Sequence, residues 1–311
     1  MLAQQPFLLH SPDGRPCPPA TPASAALAWV RARTGGRVLS AEPLAAGAVH
    51  HNVAITVDGN PPRRVVLRWS AGQRGQDDAP REAILREAAV LSLLERAGLR
   101  APRLVAADPL GAECGVPTLL MTYLEGRQPD ADTARSPDFV AQLAAAAHDI
   151  HCVDGTGASA GAALPPFRLY NDLVDPRPPR HSDRPALWER AFAAVPVGAP
   201  AAPAVFLHRD YHAGNTLWSG STLTGVVDWN TASLGPAGFD LGHMRWNLAV
   251  SVGRDVADRF ASHYDLLAGR EPAYHPYWDV VAVVDLLPED GLGPAVLERL
   301  EPFLEAALAR L

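Results

Sequence analysis

The eight residues His208-Arg209-Asp210-Tyr211-His212-Ala213-Gly214-Asn215 constrain this chain more than any other stretch. They set an acid and an amide five positions apart, and a second acid, Asp228, stands eighteen positions after Asp210 at the end of the apolar run Val226-Val227. A carboxylate to orient a hydroxyl, an amide oxygen and a carboxylate to take a hard cation are, in that order, what phosphoryl transfer from a nucleotide requires. A fold that uses them must bring one loop and the end of a nearby strand to a single cleft. Asp210 is therefore the candidate catalytic base, and Asn215 and Asp228 are the candidate Mg2+ ligands. His208 reads as structural, donating to a backbone carbonyl. His212 fits either a loop residue or one that approaches the substrate.

The rest of such a site must come from upstream. All 27 basic residues are arginine, and no lysine occurs anywhere, so an arginine must make any side-chain ion pair to nucleotide phosphates. Arg68, in the predicted strand 64–69, is the candidate, because a guanidinium grips phosphate oxygens in bidentate fashion and stays charged. Glu87 on the following helix could hold it, with Glu82 as the other choice. The segment from Gly47 to Asn52, between two predicted strands, is the candidate phosphate-cradling loop. His50 and His51 lie in it without a cysteine or acid at ligand spacing. Met121 and Tyr123, at the end of an apolar strand, are candidates for reading a purine edge through their backbone, unless that stretch is an ordinary strand end. Asp240 could cap a helix start or brace the 208–215 loop.

Pattern divides the chain at about residue 122. In residues 1–122 the periodicities predict a short helix over 23–33 and strands over 38–44, 52–57 and 64–69. A helix over 79–97 follows, stopped at Gly98, with two more strands near Val105 and over 117–123. This part reads as strands around one helix. Residues 123–311 change character. Helices are expected over 138–151 and 187–194, a Pro- and Arg-rich loop over 165–185, and two apolar strands over 205–207 and 223–227. Beyond Phe239 the pattern is helical almost to the end. The expectation is an α+β chain with a small β-rich lobe and a larger, mainly helical one.

A formal charge of -7 argues against a nucleic-acid partner. Three cysteines without paired spacing indicate neither a disulfide framework nor a zinc site. No signal peptide and no run of about 18 apolar residues is evident, so neither secretion nor a membrane span is expected, and a cytoplasmic setting is the default.

These pieces together resemble the aminoglycoside phosphotransferase and choline kinase-like family, a branch of the protein-kinase-like fold. The match runs in family order through residues 44–52, 65–69, Arg86-Glu87, 119–126, 208–215 and 225–240. The resemblance implies a two-lobed fold with ATP or GTP in the cleft, Asp210 as base, Asn215 and Asp228 on Mg2+, and Arg68 where the family often has lysine. Trp229-Asn230 stands where protein kinases have Phe-Gly, and no A-P-E motif is present, so a small-molecule acceptor is implied rather than a protein. Members of the family phosphorylate aminoglycosides, macrolides, choline, homoserine and sugars, so the acceptor stays open. A catalytically weak, nucleotide-binding pseudokinase is the alternative, on account of Arg68 and the single glycine of the loop. For the acceptor, Asp172, Asp175, Asp279 and Asp285 could receive ammonium groups and Tyr274, Tyr277 and Trp278 could line a flatter pocket. Their ordinary roles would be helix-surface acids and core aromatics.

Overall fold

Alternation and β-branched residues build the first half of the molecule. The computed structural model describes residues 21–44, 50–70, 80–155, 164–170, 173–269, 274–287 and 292–311. A helix α1 (Ser24–Thr34) precedes strands β1 (Val38–Pro43), β2 (His50–Val57) and β3 (Arg63–Ser70), followed by helix α2 (Pro80–Arg96) and strands β4 (Leu104–Asp108) and β5 (Thr118–Thr122). The strands form one antiparallel sheet in the order β1-β2-β3-β5-β4. One face buries Val53, Ile55, Val57, Val65, Leu67 and Leu120 against Ala26, Trp29 and Val30 of α1. The other turns Val66, Leu119 and Met121 toward α2 and the main core. This alternation is the period of two that a sheet covered on both faces requires.

The second half is mostly helical. The order is α3 (Ala131–Ala134), α4 (Phe139–His151), α5 (Pro185–Ala194), β6 (Ala204–Leu207), β7 (Thr216–Ser219), β8 (Thr222–Val226), β9 (Ser233–Pro236), α6 (Gly238–Ser251), α7 (Arg254–Ala268), α8 (Pro276–Val284) and α9 (Pro294–Leu308). Two small antiparallel ladders, β6 with β9 and β7 with β8, carry the loop and the acid singled out above. The sequence pattern misses β7, β9 and α3. Each has only four residues, and β9 holds Gly235 and Pro236, so cross-strand pairing rather than propensity makes it a strand. Strand β2 starts at His50 rather than Asn52, which brings His50 and His51 of the expected loop into the sheet.

Helix α6 is the axis of this half. All its residues from Gly238 to Val250 are buried, as expected for a helix surrounded by others. Gly242 permits this. A Cβ there would lie 2.3 Å from the carbonyl oxygen of Trp278, so α6 and α8 approach backbone to backbone. Among the described residues no helix is long and apolar enough to cross a membrane.

Candidate active site

The loop 208–215 leaves β6 and is held from beneath by one buried carboxylate. Asp240, in the first turn of α6, accepts from the backbone N–H of His208 and of Arg209, both at 2.9 Å, and lies 3.1 Å from His151 Nε2. It is fully buried and sits at the third helical position, so it braces the loop rather than capping the helix. Burial alone would raise its pKa. The contact with His151 and the bond from the His208 N–H outweigh that and hold it below the usual carboxylate range. Its stabilising contribution is therefore complete above its ordinary pKa and is lost as the pH falls through the lower, folded value. Asp240→Ala leaves buried donors without an acceptor and should cost about 3 kcal/mol. Thermal unfolding should show a Tm lower by roughly 10 °C.

With its backbone pinned, the loop adopts a conformation it would not choose alone. Arg209 has φ 74°, a left-handed geometry that costs a non-glycine residue about 1–2 kcal/mol. Its guanidinium repays this. It donates to the Arg168 carbonyl and to Asp285, each at 2.8 Å, and lies over the rings of Tyr170 at 3.8 Å and Phe239 at 4.3 Å. His208 Nε2 is 2.9 Å from the carbonyl of Val227, and the Tyr211 hydroxyl donates to the Leu143 carbonyl on α4. Both are tethers, in line with the structural reading of His208.

Two candidate site residues meet on this platform. Asn215 Nδ2 donates to both the carbonyl oxygen and Oδ2 of Asp210, each at 3.0 Å. Both bonds use the amide nitrogen, so Oδ1 of Asn215 is the atom available to a cation. Asp228 follows β8, where Thr216 pairs with Val226 and the Val227 N–H donates to the Asn215 carbonyl at 2.9 Å. Asn215 and Asp228 therefore stand at the same end of one ladder. Asp228 also has a left-handed backbone, φ 70°, and the buried Trp229 behind it donates to the Val226 carbonyl. Strain of this kind is concentrated at sites where geometry serves function. Among the described residues no three His, Cys, Asp or Glu side chains form a metal cage. One amide oxygen and one carboxylate nevertheless fit Mg2+, which takes one or two carboxylates together with substrate oxygens.

Arg68 links this end of the ladder to the sheet. Its Nη1 is 2.7 Å from Glu87 on α2 and 2.9 Å from Asp228, while Nε donates to Asn52 Oδ1 at 2.8 Å. Burial works against the guanidinium's charge, but the Glu87 and Asp228 carboxylates outweigh it and raise the pKa. His50 is the neutral counterpart. Burial, with Arg68 nearby, lowers it to about 4. Glu82, the other choice for holding Arg68, instead contacts Arg81 on the surface.

Comparison with known proteins places this geometry. The model of the phosphotransferase enzyme family (APH) matches residues 40–283, more than three quarters of the chain. The chain belongs to that family. Two curated relatives are each 30% identical: the homoserine kinase of Methylorubrum populi over 200 residues and the N-acetylmuramate/N-acetylglucosamine kinase of Caulobacter vibrioides over 215. The matches cover 58% and 59% of this chain, and the chain spans only 59% and 54% of the lengths of those relatives. Among solved structures, a thermostable variant of aminoglycoside phosphotransferase APH(4)-Ia with AMP-PNP and hygromycin B superposes with a TM-score of 0.63 at 15% identity. That match covers 93% of this chain and 99% of the other. The GDP complex of aminoglycoside 2'-phosphotransferase-IIIa gives 0.62 at 16%, covering 92% and 99%. At such identities the superpositions show the fold, which is the α+β, kinase-like one expected from the sequence.

Within this phosphotransferase-family frame several expectations change. Gly47 lies outside the described residues, so nothing structural attaches to the cradle loop. Asn52 faces Arg68 from the paired strand position and is a support for it, not a loop residue. Met121 sits mid-sheet between β3 and β4, and the Tyr123 N–H already donates to the Arg64 carbonyl at 3.3 Å. The first backbone beyond the sheet is therefore the Tyr123 carbonyl and Leu124. Asp279 is buried and bound to Arg245 at 3.0 Å and to the Tyr274 hydroxyl at 2.6 Å, and Asp285 is taken by Arg209. Tyr277 and Trp278 are buried in the core. Asp175 is exposed and paired with Arg177, and Asp172 lies outside the described residues. Sequence reasoning missed His151, the Arg209–Asp285 pair and His243, whose Nε2 stands 3.3 Å from Asp210 Oδ1. All three depend on contacts between distant segments, and none leaves a local signal.

Proposed function

We propose that the chain transfers the terminal phosphoryl group of ATP or GTP to a hydroxyl of a small acceptor. The observation that supports this best is the junction of Arg68, Glu87 and Asp228 next to the Asn215–Asp210 pair. Arg68 pairs with Glu87 and Asp228, Asn215 pairs with Asp210, and the two sets stand at the same end of the β7–β8 ladder, where they would supply a phosphate-binding cation, two cation ligands and a base. Such a constellation positions reactants and stabilises charge, which is most of what phosphoryl transfer asks of a protein.

In this reading Asp210 accepts a hydrogen bond from the acceptor hydroxyl and aims its oxygen at the terminal phosphorus. Asn215 keeps that carboxylate in register and, with Asp228, would hold Mg2+. The ion would neutralise phosphate charge when bound. Arg68 exchanges part of its contact with Asp228 for a phosphate oxygen, while Glu87 and Asn52 keep its position. The backbone at Tyr123 and Leu124 reads the purine edge, and residues 1–122 act as the nucleotide-binding lobe.

For the acceptor, the relatives point two ways: to kinases named for homoserine and for amino sugars, and to aminoglycoside enzymes crystallised with hygromycin B or kanamycin. The state of the acids favours the first. Asp279 and Asp285, which could have received several ammonium groups, are buried and neutralised by Arg245 and Arg209. With those two acids taken, we propose a small hydroxylated metabolite carrying at most one positive charge as the acceptor in preference to a polycationic antibiotic. A panel of homoserine, choline, N-acetylated amino sugars and aminoglycosides, tested for stimulated ATP and GTP consumption, decides this. We expect stimulation by a metabolite and no growth protection against aminoglycosides. Stimulation by aminoglycosides alone would reverse the assignment. Tight nucleotide binding without turnover under any condition would favour the pseudokinase reading.

A further inference from the structure

We infer that the ring of Tyr170 is a stacking platform for the acceptor, and that it takes an uncharged face such as the C–H face of a sugar ring; this deepens the proposed phosphotransfer and rests on it. Three observations carry the inference. First, the residue is held firmly. The segment leading to it lies along β9, where the Leu234 N–H donates to the Pro165 carbonyl at 2.9 Å and the Phe167 N–H donates to the Leu234 carbonyl at 2.7 Å. The Arg168 carbonyl then accepts from Arg209 at 2.8 Å, and the Tyr170 N–H donates to Asp285 Oδ1 at 2.6 Å. The backbone from residue 165 to 170 is thus fixed by β9, by the 208–215 loop and by the residue that closes α8.

Second, the ring stands beside the candidate base. It lies on the Arg209 guanidinium at 3.8 Å, and Arg209 is the residue before Asp210. The charges of Arg209 and of Asp210 both act on its hydroxyl. An acceptor held against Asp210 therefore has this ring as a neighbour.

Third, the ring is left open. Among the described residues, Phe167 at 5.0 Å and Phe239 at 4.3 Å also meet the guanidinium. Phe239 is buried and Phe167 half-buried, whereas Tyr170 is 63% exposed. Covering Arg209 takes one face of the ring and leaves the rest to solvent. An aromatic side chain on a fixed backbone offers a large contact area at little entropic cost, and ligand sites are lined by such rings around a few polar groups. The arginine also selects the partner. A cation on one face draws the π electrons toward itself, so the opposite face holds a second cation poorly. A quaternary ammonium gains little there. An uncharged C–H face buries apolar area against the ring without displacing Arg209 from Asp285 and the Arg168 carbonyl.

The test uses the full chain with Tyr170→Leu and Tyr170→Phe, with MgATP as donor and N-acetylglucosamine or choline as probe. Leucine keeps an apolar cover over Arg209 and loses the flat face, whereas phenylalanine keeps the face and loses the hydroxyl. With N-acetylglucosamine we expect the leucine variant to raise acceptor KM about tenfold with nucleotide KM within twofold, and the phenylalanine variant to recover most of the loss. An unchanged acceptor KM in the leucine variant overturns the inference. So does an equal loss in both variants, and so does a parallel rise in nucleotide KM, which would mark a purely structural cover for Arg209. Dependence on Tyr170 with choline but not with the sugar overturns the assignment to an uncharged face. If wild type phosphorylates neither probe, the wider acceptor panel judges the phosphotransfer reading, and saturation-transfer NMR with N-acetylglucosamine judges Tyr170. Transfer to the ring C–H protons on wild type that is lost in the leucine variant supports the platform. No transfer on wild type, or equal transfer on the variant, refutes it.

Discussion

Asp210→Asn should lower phosphoryl transfer by about a thousandfold while nucleotide affinity stays within about threefold. Positioned general bases contribute about 10²–10⁴ to rate, and the amide keeps the shape of the carboxylate but not its charge. The neighbours make the substitution clean. The backbone of the loop is held by Asp240, independently of the Asp210 side chain, and Asn215 still bonds the Asp210 carbonyl. The loss should therefore appear in kcat and hardly in binding, as expected for an interaction made only in the transition state. Steady-state kinetics with the best acceptor from the panel, beside nucleotide titration by calorimetry, separates the two. A variant with near wild-type kcat would remove Asp210 from the role of base.

Asp228→Ala should do the reverse in binding. We expect Mg2+-dependent nucleotide affinity to fall about a hundredfold, or ~2.7 kcal/mol, and turnover to disappear. Arg68 loses one of its partners in this variant but keeps Glu87 at 2.7 Å and Asn52 at 2.8 Å, so a guanidinium remains in place for phosphate. The residual affinity should then be independent of Mg2+. Titrations of wild type and variant with nucleotide, in Mg2+ and in chelator, check this. The two proteins should differ in the first condition and agree in the second. Equal affinities in both would mean that Asp228 does not hold the cation. The pairing of the two variants is informative because one is expected to change rate without binding and the other binding as well as rate.

Much of this architecture is legible along the chain. The apolar run Val65-Val66-Leu67 marked a strand, and the helical spacing of Ile84, Ala88, Leu91 and Leu94 marked α2. Both patterns are local consequences of which side meets a core. Short elements were not legible, because β7 and β9 exist through their partners. Nor was the state of the acids. Asp279 and Asp285 have the sequence surroundings of any helix-borne carboxylates, yet each is buried against an arginine that lies 34 or 76 residues away. Charge pairing across such separations has no periodicity to betray it. The same holds for Asn52, whose place opposite Arg68 is a matter of strand register rather than composition.

By itself the sequence determined the chemical inventory: an acid, an amide and a second acid at fixed spacing, an arginine as the basic group available for phosphate, and the longer strands and helices of the chain. Tertiary structure alone decided how those groups are held. It selected Glu87 over Glu82, turned Asp240 from a possible cap into a brace for two backbone donors, and set His243 against Asp210 from 33 residues downstream. The physical reason is one of range. Chain spacing fixes which groups lie on the same strand, loop or helix face. The direction in which a carboxylate points is fixed by donors that packing brings from elsewhere, and those contacts exist only once the core has closed.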